Sequence, residues 1–290
     1  MNYTYKGGRV VISGLENFSL CQCLDCGQAF RWKQHGKGYR GAALGLAVYA
    51  EQSGDTLAID GVGKNSVAAF IRYFDLRRDY ACLQKQYSKD PFLKEGICYA
   101  SGLRVLAQPP FETLITFIIS ANNNISRIKR IIDSLCARFG APLAKGMFDF
   151  PSPKALAEAS ERSLLDCGTG YRAAYIKGAA QMIADGFDFD GIGKLPYEAA
   201  RQALTALPGV GLKVADCVAL YGFSFLQAFP FDVWMRRVLR SVYGYGGKTD
   251  TQMRDFVDNK FGKHAGIAQQ YLFHYARHHK DLLNNNQPRS

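Results

Sequence analysis

Lys213 and Asp232 are the two side chains in this sequence whose types and settings could carry covalent chemistry. An amine attacks carbon only when neutral, and the ordinary lysine pKa of ~10.4 leaves less than about one part in a thousand neutral at pH 7. A helix N-terminus and a nonpolar pocket would each depress that value, which is how nucleophilic lysines arise. Lys213 falls in the first turn of an expected helix, so it reads either as such a nucleophile or as a plain cation beside a phosphate. Asp232 follows Phe229-Pro230-Phe231 and opens the periodic run 233–242, the setting of a helix N-cap. Capping and chemistry are compatible, because a carboxylate held at a helix start could face an electron-poor centre.

The element that must position Lys213 is the segment Leu207-Pro208-Gly209-Val210-Gly211-Leu212-Lys213-Val214-Ala215-Asp216-Cys217. It follows the helical stretch 197–206 and opens another helix, so residues 197–221 read as helix, hairpin, helix. Gly209 and Gly211 are expected to supply positive φ in the tight connection. The uncapped amides of Gly209, Val210 and Gly211 at the start of the second helix would then form an anion site that accepts a nucleic-acid phosphate without regard to base sequence. An ordinary Gly-rich helix turn is the bland alternative. A Walker A loop is excluded, because its G-x-x-x-x-G-K-[ST] spacing is missing.

The rest of the chain divides by periodicity. Residues 1 to about 60 read as β, with short runs at 30–33, 39–44, 46–51 and 56–59 broken by turn residues at 35–38 and 53–55, an antiparallel meander. From Lys64 the period becomes helical: Val67, Phe70, Ile71 and Phe74 recur at three and four. Pro109-Pro110 blocks helix continuation. The expected organisation is an α+β domain over 1–105 and an all-α domain over 106–290, with a frayed tail at 284–290.

With 36 Lys and Arg against 25 Asp and Glu, the net charge of +11 suits a polyanionic partner. No apolar run approaches a membrane span and the N-terminus lacks the apolar core of a signal peptide, so the expectation is an intracellular, cytoplasmic or nucleoid-associated monomer. The eight cysteines are expected as reduced thiols. Cys21, Cys23 and Cys26 cluster, but no closely spaced fourth ligand follows, and no cysteine lies beyond Cys217, which removes a C-terminal four-cysteine iron–sulfur pattern. No metal, cluster or other cofactor is expected.

Five ordered motifs extend the picture: Gly27-Gln28-Ala29-Phe30-Arg31-Trp32, Ser120-Ala121-Asn122-Asn123-Asn124-Ile125-Ser126-Arg127, Gly170-Tyr171-Arg172, Lys213-Val214-Ala215-Asp216-Cys217 and Asp232-Val233. With the hairpin they resemble the helix-hairpin-helix DNA glycosylases whose Gly/Pro-rich loop ends in Asp (HhH-GPD), and within them the 8-oxoguanine DNA glycosylase/lyases, over residues 14–280. The resemblance implies a TBP-like N-terminal α+β domain packed on a helical domain, with the lesion nucleotide flipped from double-stranded DNA into the cleft between them. It implies that Lys213 displaces the base to give a Schiff base, that β-elimination then nicks the strand, and that Asp232 stabilises positive charge on the sugar.

The lesion differs from guanine chiefly by a C8 carbonyl and by hydrogen on N7, which turns from acceptor to donor. The resemblance assigns the N7 test to the carbonyl of Gly27, places Cys217 and Phe273 on opposite faces of the flipped base, and puts Gln269 at its Watson–Crick edge. Cys217 lies four residues after Lys213 and Phe273 four after Gln269, so each pair shares a helix face, as plain core packing would also require. Asn122, Arg127 and Arg172 are implied to hold the cytosine left opposite the lesion, with Tyr171 wedged into the stack. One departure stands out: where familiar members have a phosphate-contacting His two residues after the Asp, this chain has Trp234. His274, His278 and His279 read as a solvated basic face. Two rivals remain, a monofunctional glycosylase for another damaged purine and a noncatalytic DNA-binding module; Lys213 argues against the first, and the second leaves Cys217, Gln269 and Phe273 without a common purpose.

Overall fold

Gly7 and Gly8, both at positive φ (56° and 84°), turn strand β1 (Asn2–Lys6) back onto β2 (Arg9–Ser13), the two-residue hairpin that a glycine pair permits. The computed structural model describes residues 1–247 and 249–283; the tail read as frayed lies outside the described residues. After β2 the chain forms helix α1 (Leu20–Asp25), then β3 (Trp32–His35), β4 (Gly38–Ala43), β5 (Leu46–Ser53) and β6 (Thr56–Asp60). The sheet is antiparallel in the order β1-β2-β6-β5-β4-β3. The last four strands are the expected meander, and the N-terminal hairpin adds to its edge through the register Arg9 to Asp60.

The β reading of residues 1–60 therefore needs one correction, α1. Ser19 caps it, accepting from Gln22 N at 3.4 Å, and Leu20, Cys23 and Leu24 turn inward at helical spacing. The stripe expected after Lys64 holds: Val67, Phe70, Ile71 and Phe74 are all buried in or just after α2 (Val67–Tyr73). They pack on the sheet with Trp32, whose indole N–H donates to Tyr73 Oη at 2.9 Å.

Two further helices before position 105 pack elsewhere. Helices α3 (Tyr80–Tyr87) and α4 (Pro91–Tyr99) send Tyr80, Leu83, Tyr87, Phe92, Leu93 and Ile97 into the core of the helical region. That region continues through α5 (Pro110–Ser120), α6 (Ile125–Phe139), α7 (Pro153–Glu158), α8 (Glu161–Asp166) and α9 (Arg172–Ala184). It ends with α10 (Tyr197–Thr205), α11 (Leu212–Tyr221), α12 (Val233–Ser241), α13 (Asp250–Phe261) and α14 (Ala265–His278). Pro109 is the N-cap of α5 and Pro110 its first residue, so the proline pair starts a helix as well as forbidding an earlier one.

An irregular strap, 102–109, fastens the two cores together. Ala107 N donates to Tyr73 O at 2.9 Å and Gln108 N to Tyr221 O at 2.7 Å, one bond to each side. Buried Arg104 donates to the carbonyls of Glu16, Asn17, Asp75 and Arg78. Buried Gln28 donates to Cys23 O and Arg104 O and accepts from Leu106 N, which satisfies strap carbonyls and amides that burial would otherwise leave costly. The strap thus fixes the residue next to Gly27.

Candidate active site

The hairpin between α10 and α11 has the expected shape with one change. Gly209 lies at φ 78°, and a Cβ there would come within 2.7 Å of Tyr175 Cβ, so both its backbone and its bareness are required. Gly211 does not supply positive φ. It is the N-cap of α11 at φ −84°, ψ 178°, and an added Cβ would meet nothing within 4 Å, so its contribution is an unobstructed helix start. Val210 is buried and its N–H is spent on Leu207 O at 3.1 Å; among the described residues the amides of Gly209 and Gly211 donate to no carbonyl. Two of the three residues expected at a phosphate therefore keep a free donor.

Asp216, one helical turn after Leu212, braces this hairpin from inside. Its side chain is 1% exposed and accepts from Arg201 Nε at 2.9 Å, Arg254 Nη2 at 3.0 Å and Tyr197 Oη at 2.7 Å, tying α10, α11 and α13 together. Burial raises its pKa, opposed by the charges of Arg254 and Arg201. Sequence reading gave Asp216 no role; the signal was only an acid inside an apolar helix.

Beyond the hairpin lies a cavity of about 380 Å³ between the sheet domain and the helices, and it gathers residues far apart in the chain. Lys213 enters from the first turn of α11, its Nζ 5.3 Å from the centre of the Phe117 ring. Asp232 caps α12, Oδ1 accepting from Met235 N at 2.8 Å, as its place between Phe229-Pro230-Phe231 and a periodic run predicts. Burial pushes its carboxyl above the ordinary value, while the Met235 amide and the charge of Lys213 pull it down. Cys217 lines the same wall, its thiol pushed up to about 12 by burial against the pull of Lys213, and so neutral at pH 7.

Helix α14 and the loop after α1 complete the lining. Gln269 lines the cavity and is itself buried, and its Oε1 has no partner among the described residues, an unsatisfied acceptor. Phe273 follows one turn later. Gly27 sits at φ 93° with its missing side chain facing inward: a Cβ would lie 3.1 Å from Arg277 Nη1, 3.6 Å from Ile125 Cδ1 and 3.7 Å from Phe273 Cε1. All six residues named for nucleophile and lesion therefore line one cavity. Sequence reading missed Phe30, Phe117 and Arg277 there; only the four-residue step from Phe273 to Arg277 could have shown the last. Trp234 lines the cavity too, with Arg237 and Lys280 each 6.0 Å from its ring centre.

The residues expected at the opposite base lie on the loop between α5 and α6 and at the start of α9. Asn124 caps α6 by accepting from Arg127 N at 2.9 Å, and Asn122 stands exposed at φ 49°. The Arg127 side chain is exposed, and Tyr171 is 60% exposed. Arg172 differs from the expectation of a free reader. It is buried, donates to the carbonyls of Ala121, Asn122 and Thr169, and its guanidinium stacks 4.4 Å from the Tyr171 ring. In this structure Arg172 clips the loop and backs the wedge.

The histidines also need correction. His274 is 8% exposed, with its pKa pushed down to about 4 by burial and then by His278 and Arg277, and Tyr99 packs against His274, His278 and His279. His274 is thus buried against Tyr99 where a solvated face was expected, whereas His278 is exposed and His279 half-buried. Cys23 and Cys26 are buried: Cys23 Sγ accepts from Arg104 N, and Cys26 Sγ donates to Cys23 O. Among the described residues no group of three or more His, Cys, Asp or Glu is arranged to hold a metal ion.

Residues 10–114 match the family described as 8-oxoguanine DNA glycosylase, N-terminal domain, and residues 115–261 that described as HhH-GPD superfamily base excision DNA repair protein. The N-glycosylase/DNA lyase of Saccharomyces cerevisiae is 32% identical over 93% of this chain and 86% of its own length. The 8-oxoguanine glycosylase/lyase of Clostridium acetobutylicum, solved with double-stranded DNA containing cytosine opposite 8-oxoguanine, is 35% identical with a TM-score of 0.92, covering 97% of this chain and 99% of that one. A 3-methyladenine DNA glycosylase from Archaeoglobus fulgidus, 20% identical over 92% of this chain and 98% of its own with a TM-score of 0.77, shares the fold. The chain belongs to the HhH-GPD superfamily of base excision DNA repair proteins and, within it, to the 8-oxoguanine DNA glycosylase/lyases.

Proposed function

We propose that the protein removes 8-oxoguanine opposite cytosine from double-stranded DNA through Lys213 and Asp232, and that the single observation carrying this is the convergence of both with Gly27, Cys217, Gln269 and Phe273 on one cavity. A flipped base lies between the Cys217 and Phe273 faces, with its Watson–Crick edge toward the unpartnered acceptor of Gln269 and its N7–H toward the Gly27 carbonyl. The neutral Lys213 amine attacks the anomeric carbon, the bond to the base breaks, and the base leaves with the electron pair and takes up a proton. Loss of the ring oxygen from that carbon gives a Schiff base. Removal of a C2′ proton then expels the 3′ phosphate, nicking the strand.

Asp232 serves as a fixed negative charge for the sugar as it becomes cationic, and its N-cap bond keeps it in place throughout. Each step uses side chains of the chain itself and no cofactor. Outside the cavity, the open amides at Gly209 and Gly211 hold a phosphate, Tyr171 fills the gap left by the flipped base, and Asn122 and Arg127 meet the orphaned cytosine, with Arg172 supporting their loop. The enzyme works on chromosomal DNA inside the cell, the nucleoid-associated cytoplasm being the compartment of this reading.

Borohydride reduction of enzyme on a duplex containing 8-oxoguanine opposite cytosine tests it. The expected result is a covalent adduct in the wild type and none with Lys213→Gln. An undiminished adduct in the variant would remove Lys213 as nucleophile. Neither adduct nor base release from the wild type would favour a DNA-binding module.

A further inference from the structure

Arg277 lines the cavity with Gly27, Gln269 and Phe273, yet neither the nucleophile nor the expected base readers employ it. It stands two turns beyond Gln269 and one beyond Phe273 on α14, so the three form one row along the helix. Its guanidinium reaches over Gly27, where a Cβ would lie 3.1 Å from Nη1. The side chain is half-buried, and among the described residues no carboxylate or carbonyl engages it. A guanidinium is all donor and cannot shed its charge, so in that position it awaits an acceptor supplied by a ligand.

8-Oxoguanine carries its two differences from guanine on adjacent ring atoms, hydrogen on N7 and oxygen on C8. With N7–H on the Gly27 carbonyl, the C8 oxygen falls beside Gly27, where the guanidinium stands. The row on α14 has the matching order. Gln269 meets the Watson–Crick edge, Phe273 the ring face, and Arg277 the imidazole end. We propose that Arg277 donates a hydrogen bond to the C8 carbonyl of the lesion and is, beside Gly27, a second specificity-determining residue. This rests on the lesion-pocket reading above, because it takes its geometry from the base that Gly27 and Gln269 hold.

Single-turnover rates on two duplexes test the proposal, one with 8-oxoguanine opposite cytosine and one with a preformed abasic site at the same place. Arg277→Leu is expected to slow base release by roughly 10- to 100-fold, the effect of a lost charge-assisted hydrogen bond. Nicking of the abasic duplex, which has no base to read, should stay within about twofold of wild type, and Arg277→Lys should recover part of the loss. Equal losses on both duplexes would mean that Arg277 contacts the backbone or holds the fold, and unchanged base release would mean that it reads nothing; either overturns the proposal. Phe273→Ala run in parallel separates the two readings. Retained base release in that variant would sink the lesion pocket itself, whereas loss there with none in Arg277→Leu would sink only the role of Arg277.

Discussion

The lesion cavity and the opposite-base loop are built on different principles. In the cavity the protein has finished its work before DNA arrives: Asp232 is locked as an N-cap, Lys213 is fixed on a helix braced by Asp216, and Gln28 and the strap hold Gly27 at a backbone angle that only glycine adopts freely. At the opposite-base face the Arg127 side chain is exposed, Tyr171 is 60% exposed over the Arg172 guanidinium, and Arg172, the rigid member, is consumed by carbonyls of its own chain. Chemistry that needs charges in fixed places is preorganised, whereas recognition of a base that appears only after flipping is left to side chains that DNA itself will order.

The largest expected effect that would break this contrast is on Asp232. Asp232→Asn keeps a capping oxygen for the Met235 amide but removes the charge, so base release should fall about 100-fold with little change in Tm. Asp232→Ala should add a stability loss of about 1 kcal/mol by denaturation. A variant Asn enzyme of near-normal rate would make Asp232 a cap and nothing more.

A smaller effect belongs to the loop. Arg127→Ala should reduce the preference for cytosine over adenine opposite the lesion by about tenfold, measured as a ratio of single-turnover rates, with no change in Tm. Arg172→Ala should instead lower stability by roughly 1–3 kcal/mol, because the carbonyls of Ala121 and Asn122 lose their donor. If Arg172→Ala changed opposite-base preference and left Tm alone, the clip would be a reader and the contrast would fail.

The smallest effect is in pH. Asp232 must be ionised to stabilise a cationic sugar, and burial raises its pKa. Activity should therefore fall on acidification at a higher pH than an ordinary aspartate of ~3.9 would give. That acid limb should vanish in Asp232→Asn.

What the sequence made legible follows the range of the interactions. The Lys213 and Asp232 settings are local, a hairpin of fixed spacing and the segment Phe229-Pro230-Phe231 before a periodic run, and both were readable. Helix α1 was readable too, from Ser19 and inward residues at 20, 23 and 24, but six residues among strands are easily taken for one more turn. The Gly7-Gly8 hairpin carried its signal in the glycine pair. Bonds such as Asp216 to Arg254 and the strap through Gln28 and Arg104 were not readable, since periodicity says which face is buried and not which distant partner meets it. The positive φ expected of Gly211 failed because Gly209 alone makes the turn, leaving Gly211 in extended backbone as the N-cap of α11.

The most direct measurement is to reduce the enzyme–DNA intermediate with borohydride, digest the protein and locate the deoxyribose remnant by mass spectrometry. The remnant is predicted on the peptide containing Lys213, at its side-chain nitrogen. A remnant on any other amine, the N-terminus included, would contradict the account.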